Sequence, residues 1–167
     1  MKRTFCLILV TIIILTLSAC LQNSDEETVV FYYRAVQEDG VMPPSVLSAE
    51  TRHYTDTRKD YFVLLQRYFN GPLDSDQESP FPAGTTVKRF TINKNRAYIT
   101  LSDDAATLYG VDLNIACACL TRTIVEMTGV ESIELSLESS LLSNEPYLIL
   151  RYSDFSVTDG YADYITQ

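Results

Sequence analysis

The chain has 167 residues, 46% of them hydrophobic, with 22 acidic against 13 basic side chains and a net charge of −9. That composition supports one domain with a genuine core, and its negative sign repels nucleic-acid phosphates and anionic headgroups, which argues against nucleic-acid binding. The single histidine, His53, excludes a multi-histidine metal centre.

Lys2 and Arg3 precede an apolar run from Phe5 to Leu17. The run is shorter than the roughly 20 residues of a spanning helix and reads as a secretory leader. Leu17, Ser18, Ala19 and Cys20 then form L-S-A-C, which resembles the lipobox of bacterial lipoprotein precursors. By that resemblance residues 1–19 are a signal peptide, and Cys20 becomes a mature N-terminus bearing a thioether-linked diacylglycerol. The domain is then held at the outer, extracytoplasmic face of the cell membrane. Each buried methylene adds about 0.8 kcal/mol of membrane affinity, so two acyl chains hold a domain that is tethered and not embedded. The competing readings are an uncleaved anchor helix with a chance cysteine and a secreted protein cut nearby. Loss of Lys2 and Arg3 with the leader leaves 11 basic against 22 acidic side chains, a charge of −11.

Residues 20–27 are short, polar and acidic, and suit a spacer. The domain is expected over residues 28–152. Thr28 to Arg34, TVVFYYR, is rich in β-branched and aromatic residues and predicts the first strand. Glu38, Asp39 and Gly40 mark a turn, Pro43 and Pro44 interrupt regular structure, and Val46 to Tyr54 suits a short extended piece at a sheet edge. A first helix is expected from about Thr57 to Phe69, with Thr57 and Asp60 as a capping pair and Tyr61, Leu64, Leu65 and Tyr68 on one face. Asn70, Gly71 and Pro72 stop it. Leu73 to Gly84 reads as a loop. Thr86 to Ile92 and Arg96 to Leu101 read as a hairpin turning at Asn93, Lys94 and Asn95, with the asparagines supplying any positive φ.

Ser102, Asp103 and Asp104 follow, and two adjacent carboxylates invite a metal or acid-base reading. Without His, Glu or Asn partners nearby, capping and turning are the better explanation. Leu113, Cys117, Leu120, Ile124 and Met127 recur at spacings of four and three, the stripe of a second helix. Gly129 can take the left-handed conformation that ends it, and from Val130 the pattern alternates: Ile133, Leu135 and Leu137 inward, Glu134, Ser136 and Glu138 outward. Ser139 to Pro146 is a loop, Tyr147 to Tyr152 a last strand, and residues 153–167 a polar C-terminal tail. The expected fold is α+β, with two helices packed on one face of a mixed or antiparallel sheet in split βαβ-like order.

With Cys6 in the leader and Cys20 lipidated, Cys117 and Cys119 are the remaining thiols. Two apart on a helix they face different ways, which suits core packing better than a disulfide or metal site. No G-x-S-x-G serine or phosphate-binding glycine loop is present. The expected inventory is therefore no catalytic, cofactor-binding or metal-binding residue, with Cys20 as the lipid attachment site.

Four stretches appear in a joint order: L-L-Q-R-Y-F-N-G-P from Leu64 to Pro72, P-A-G-T from Pro82 to Thr85, A-Y-I-T-L-S from Ala97 to Ser102, and T-G-V-E-S-I-E-L from Thr128 to Leu135. Together they resemble the GerMN domain of bacterial sporulation and spore-germination lipoproteins. The chain has room for one such module where the germination protein that names the family carries two, and Glu138, Ser139 and Ser140 stand where a glycine is common. The resemblance implies an α+β module, similar to the ring-building folds of spore envelope complexes, that lies outside a membrane, works through protein contacts and carries no catalytic residues. The expected function is a lipid-anchored scaffold or assembly module of the envelope, not an enzyme, in sporulation or germination. Its expected partners are envelope proteins, basic ones being favoured by the acidic surface, with Glu134 and Glu138 at the docking face. The alternative is a cell-wall glycan-binding module or hydrolase accessory, for which the eleven tyrosines offer stacking surfaces.

Overall fold

The computed structural model describes residues 27–36, 45–54 and 60–155. The expected leader, Cys20 and nearly all of the expected spacer, the expected turn at Glu38, Asp39 and Gly40 with Pro43 and Pro44, Thr57, and the tail beyond residue 155 lie outside the described residues. Strand β1 (Glu27–Ala35) pairs antiparallel with β2 (Leu47–Tyr54), from Glu27 opposite Tyr54 to Arg34 opposite Leu47. Its other edge meets the two-residue β3 (Gln77–Glu78) only at Arg34 and Ala35, so the first sheet runs β2-β1-β3. Helix α1 (Tyr61–Phe69) separates β2 from β3.

The second sheet runs β4-β5-β6-β7. Strands β4 (Val87–Asn93) and β5 (Arg96–Leu101) form the expected hairpin, with a bulge between Val87 and Arg89. Helix α2 (Gly110–Thr128) carries the chain across from β5 to the parallel strand β6 (Ser132–Leu137), and β7 (Leu148–Leu150) adds antiparallel to β6. This is the α+β class expected, with mixed strand pairing. The strands divide into two sheets because helices, in place of another strand, cover most of the second edge of β1. There the Tyr32 amide donates to Thr123 Oγ1 of α2 at 2.9 Å, and the Tyr68 hydroxyl of α1 donates to the Tyr32 carbonyl at 3.1 Å.

Both helices and both sheets feed one core. Leu64, Leu65 and Tyr68 of α1, the whole expected stripe of α2, and Ile99, Leu101, Ile133 and Leu135 are buried there together with Phe31 and Tyr33. The opposite side of β1 packs as well: Tyr32 joins Leu47, Ala118 and Cys119 in a second cluster. Cys117 therefore faces one cluster and Cys119 the other, each as a buried free thiol. Burial raises both thiols well above the ordinary cysteine value, Cys117 to about 12. Because the thiolate is the reactive form, native protein at pH 8 should leave both thiols unmodified by a disulfide reagent, while urea-unfolded protein titrates them promptly. Fast modification without denaturant would show that α2 does not pack as described.

Several local expectations are corrected. Helix α1 starts at Tyr61, with Asp60 itself as the cap: its carboxylate accepts from the Phe62 and Val63 amides, so it cannot serve as the third residue of a box begun at Thr57. In the hairpin Lys94, not an asparagine, takes positive φ (54°), while Asn95 is used to hold the start of β6. The stretch read as a loop contains β3. The last strand stops at Leu150, because the Asp154 carboxylate accepts from the Arg151 amide and curls Tyr152–Asp154 into a 3-10 turn. Gly129 (φ 74°) ends α2 as expected.

Candidate functional site

The sequence motifs resolve first into internal joints. Arg52 of β2 lies beside Glu50, with the two side chains only 14% and 11% exposed, and its guanidinium donates to Gly71 O (2.8 Å), Arg67 O (3.3 Å) and the Tyr33 hydroxyl (3.2 Å). Gly71 stands at φ 92°, the left-handed turn that follows α1, and there its carbonyl accepts from Arg52. Glu50 accepts in turn from the Leu73 and Asp74 amides. Burial works to raise the Glu50 carboxyl, but the bonds from Arg52, Leu73 and Asp74 outweigh it and leave the group below its ordinary value. The N-G-P signal thus marks the place where β2 grips the end of α1.

The other motifs behave similarly. Ser102 Oγ accepts from the Thr86 amide and donates to Asp104, while Asp103 accepts from the Ser139 and Ser140 amides. These bonds hold the Asp103 carboxyl below its ordinary value. Asp104 is thus held within its own turn by Ser102, while Asp103 ties that turn to the loop after β6, a long-range bond in place of the local cap that the sequence suggests. Among the described residues no three His, Cys, Asp or Glu side chains are placed to hold a metal ion. His53 is exposed on β2.

What the molecule presents outward is sheet. Cross-strand register puts Arg89, Thr100 and Ser136 in one row, Thr91, Tyr98, Glu134 and Ile149 in the next, and Asn93, Arg96 and Ser132 in a third. The opposite rows, such as Phe90, Ile99, Leu135 and Leu148, face the core. Glu134 and Glu138 do point away from the core, but each is ion-paired, Glu134 to Arg96 at 3.5 Å and Glu138 to Lys88 at 3.6 Å. The outer face is therefore not the acidic surface that the alternation alone implied. At the hairpin end of this sheet, Asn93, Lys94, Asn95, Arg96, Tyr98, Glu131, Ser132 and Arg151 line an open groove of about 420 Å³.

The acidic surface lies at the β3 edge. Arg34 bridges Glu78 of β3 (3.1 Å) and Asp112 in the first turn of α2 (3.0 Å), and Asp74 and Asp76 are exposed in the preceding turn. Next to Asp112, Val111 is 71% exposed, with Tyr109 80% exposed just before the helix. Sequence reading passed over these two because they fall outside the α2 stripe. Their apolar side chains without core partners were the available signal. Among the described residues no helix is long and apolar enough to cross a membrane.

Comparison with known proteins agrees with this architecture. No curated protein matches the sequence. The structure is similar to the first GerMN domain of the sporulation protein GerM from Bacillus subtilis, with a TM-score of 0.53 at 16% identity, covering 81% of this chain and 99% of that one. It is also similar to the tandem GerMN domains of the same protein, with a TM-score of 0.55 at 16% identity, covering 72% of this chain. The match spans only 43% of the tandem structure. At such identities the likeness is one of fold. The family model described as Germane, sporulation and spore germination, matches residues 30–142, well over half the chain, from within β1 to just beyond β6. On that match the chain belongs to the Germane, or GerMN-domain, family of sporulation and spore-germination proteins.

Proposed function

We propose that this protein is a scaffold or assembly module of the bacterial envelope, not an enzyme, anchored by lipid on Cys20 at the outer face of the membrane and working in sporulation or germination. The observation that carries the reading is the β3 edge. There Tyr109 and Val111 stand largely in solvent next to Asp112, which shares Arg34 with Glu78, and Asp74 and Asp76 are exposed in the turn that leads into β3. That combination suits a basic envelope protein, with the carboxylates steering the encounter and the apolar pair giving it area. A two-residue edge strand beside it leaves backbone groups that a partner strand can meet.

A photo-crosslinking residue at position 109, in cells expressing the full chain, is expected to capture a basic envelope protein. Val111→Asp is expected to reduce capture by about tenfold, the consequence of losing one well-placed apolar contact, with the fold unchanged because the side chain touches no core. Recovery of no envelope protein rejects the scaffold reading. Cys20→Ala in the same cells should move the protein out of the membrane fraction, and unchanged lipid labelling would refute the anchor. Release of muropeptides from purified cell wall by the full chain would refute the non-enzyme reading.

A further inference from the structure

We propose that the groove at the hairpin end of the β4-β5-β6-β7 sheet is a binding site for an anionic carbohydrate, a sugar bearing a phosphate or a carboxylate. The site is separate from the acidic β3 edge, and neither reading depends on the other.

The first argument is charge. In a chain of net charge −9, this groove gathers Lys94, Arg96 and Arg151 against one lining carboxylate, Glu131. Several cations elsewhere are spent on ion pairs, Arg34 on Glu78 and Asp112, Arg52 on Glu50, Lys88 on Glu138 and Arg122 on Glu126, and in the groove Arg96 is paired with Glu134. Lys94 and Arg151 have no such pair among the described residues, and both are exposed. A surplus of cation on an acidic protein creates a local field that draws anions to one place.

The second argument is preorganisation. Arg96 donates through Nε to Ser132 Oγ at 3.2 Å and lies 3.5 Å from Glu134 through Nη1, which fixes its plane. Guanidinium has five donors, so those on Nη2 stay available for the fork-like grip it makes on phosphate or carboxylate. Lys94 stands at the hairpin tip with φ 54° and lines the groove. Asn95 is fixed by donating to Glu131 Oε1 at 3.0 Å and by accepting the Glu131 amide at 2.9 Å.

The third argument is the rest of the lining. Asn93, Asn95, Glu131 and Ser132 supply donors and acceptors suited to hydroxyl groups, and Tyr98 adds an aromatic side chain to the lining. An acidic peptide would need several apolar anchors, and Tyr98 is the one large apolar surface here. The volume, about 420 Å³, falls in the range of small-molecule sites.

The test is calorimetric titration of the full chain in detergent with four probes: glucose 6-phosphate, N-acetylmuramic acid, N-acetylglucosamine and poly-glutamate. Binding of either anionic sugar, at least about fivefold tighter than the neutral sugar and weakening as salt rises, is expected. The stronger of the two tells phosphate from carboxylate. Lys94→Ala and Arg151→Ala should each weaken it by about tenfold, the loss of one charge-assisted contact. Arg89→Ala, on the same face but outside the groove, should leave it unchanged. Circular dichroism confirms the fold of each variant, and all three side chains are exposed. Equal binding of the neutral sugar, equal loss with Arg89→Ala, binding of poly-glutamate alone, or no binding at millimolar concentration overturns the proposal.

Discussion

Arg52→Ala is expected to destabilise the domain by about 3–5 kcal/mol, the range for breaking one side of a buried ion pair. The size follows from what remains after the cut. Glu50 would be left with its side chain 11% exposed, still holding the Leu73 and Asp74 amides but without its counter-charge. At the end of α1 the Arg67 carbonyl would lose the guanidinium donor and the Gly71 carbonyl would keep only the Tyr33 hydroxyl, and the faces of Phe31 and Tyr33 would lose the guanidinium lying 5.1 and 5.7 Å from their centres. The double variant Glu50→Gln/Arg52→Met should be less destabilised than Arg52→Ala alone, because it strands no charge. Urea unfolding of both variants measures the difference. A loss below about 1 kcal/mol, typical of an exposed pair, would mean that this joint is solvated and not a clamp.

How much of this was legible in the sequence depends on the range of the interaction. The α2 stripe, its stop at Gly129 and the alternation of β6 were readable, because periodicity and a left-handed cap are decided within a few residues. The edge position of β2 was readable too. Beyond that range the sequence is silent: β3 is two residues long and exists only because Arg34 and Ala35 lie opposite it. The outward direction of Glu134 and Glu138 followed from alternation, but their neutralisation by Arg96 and Lys88 joins residues 38 and 50 positions apart in the chain, which no local pattern encodes. The same holds for the groove. Lys94, Arg96, Glu131 and Arg151 meet only because the parallel pairing of β5 with β6 sets the hairpin tip beside the end of β7. Net charge misled here, since a strongly acidic total hides a local cationic surplus.

The edge of β1 gives the second large effect, and here too the partner is distant in sequence. Tyr68→Ala is expected to cost about 3–5 kcal/mol, as for other buried aromatic truncations. Its ring is fully enclosed, stacks on Tyr33 at 5.0 Å and meets Phe31, Phe69 and Phe81 edge-on. Its hydroxyl has a separate task, donating to the Tyr32 carbonyl, while Thr123 accepts the Tyr32 amide. Burial holds the Tyr68 hydroxyl well above the ordinary value of 10.0, so the donor is neutral in the folded state. With the folded value raised, its contribution is complete below the unfolded tyrosine value and declines as pH rises beyond it. Tyr68→Phe keeps the ring and isolates the seal: the expected cost is about 1–3 kcal/mol, that of leaving a buried carbonyl unpaired. Thr123→Val does the same to the amide. In the double variant both backbone groups of Tyr32 lose their partners, and hydrogen exchange at that amide should accelerate well beyond what the drop in global stability accounts for. If Tyr68→Phe unfolds at the same urea concentration as the parent and the Tyr32 amide stays protected in the double variant, something other than these two side chains seals the strand.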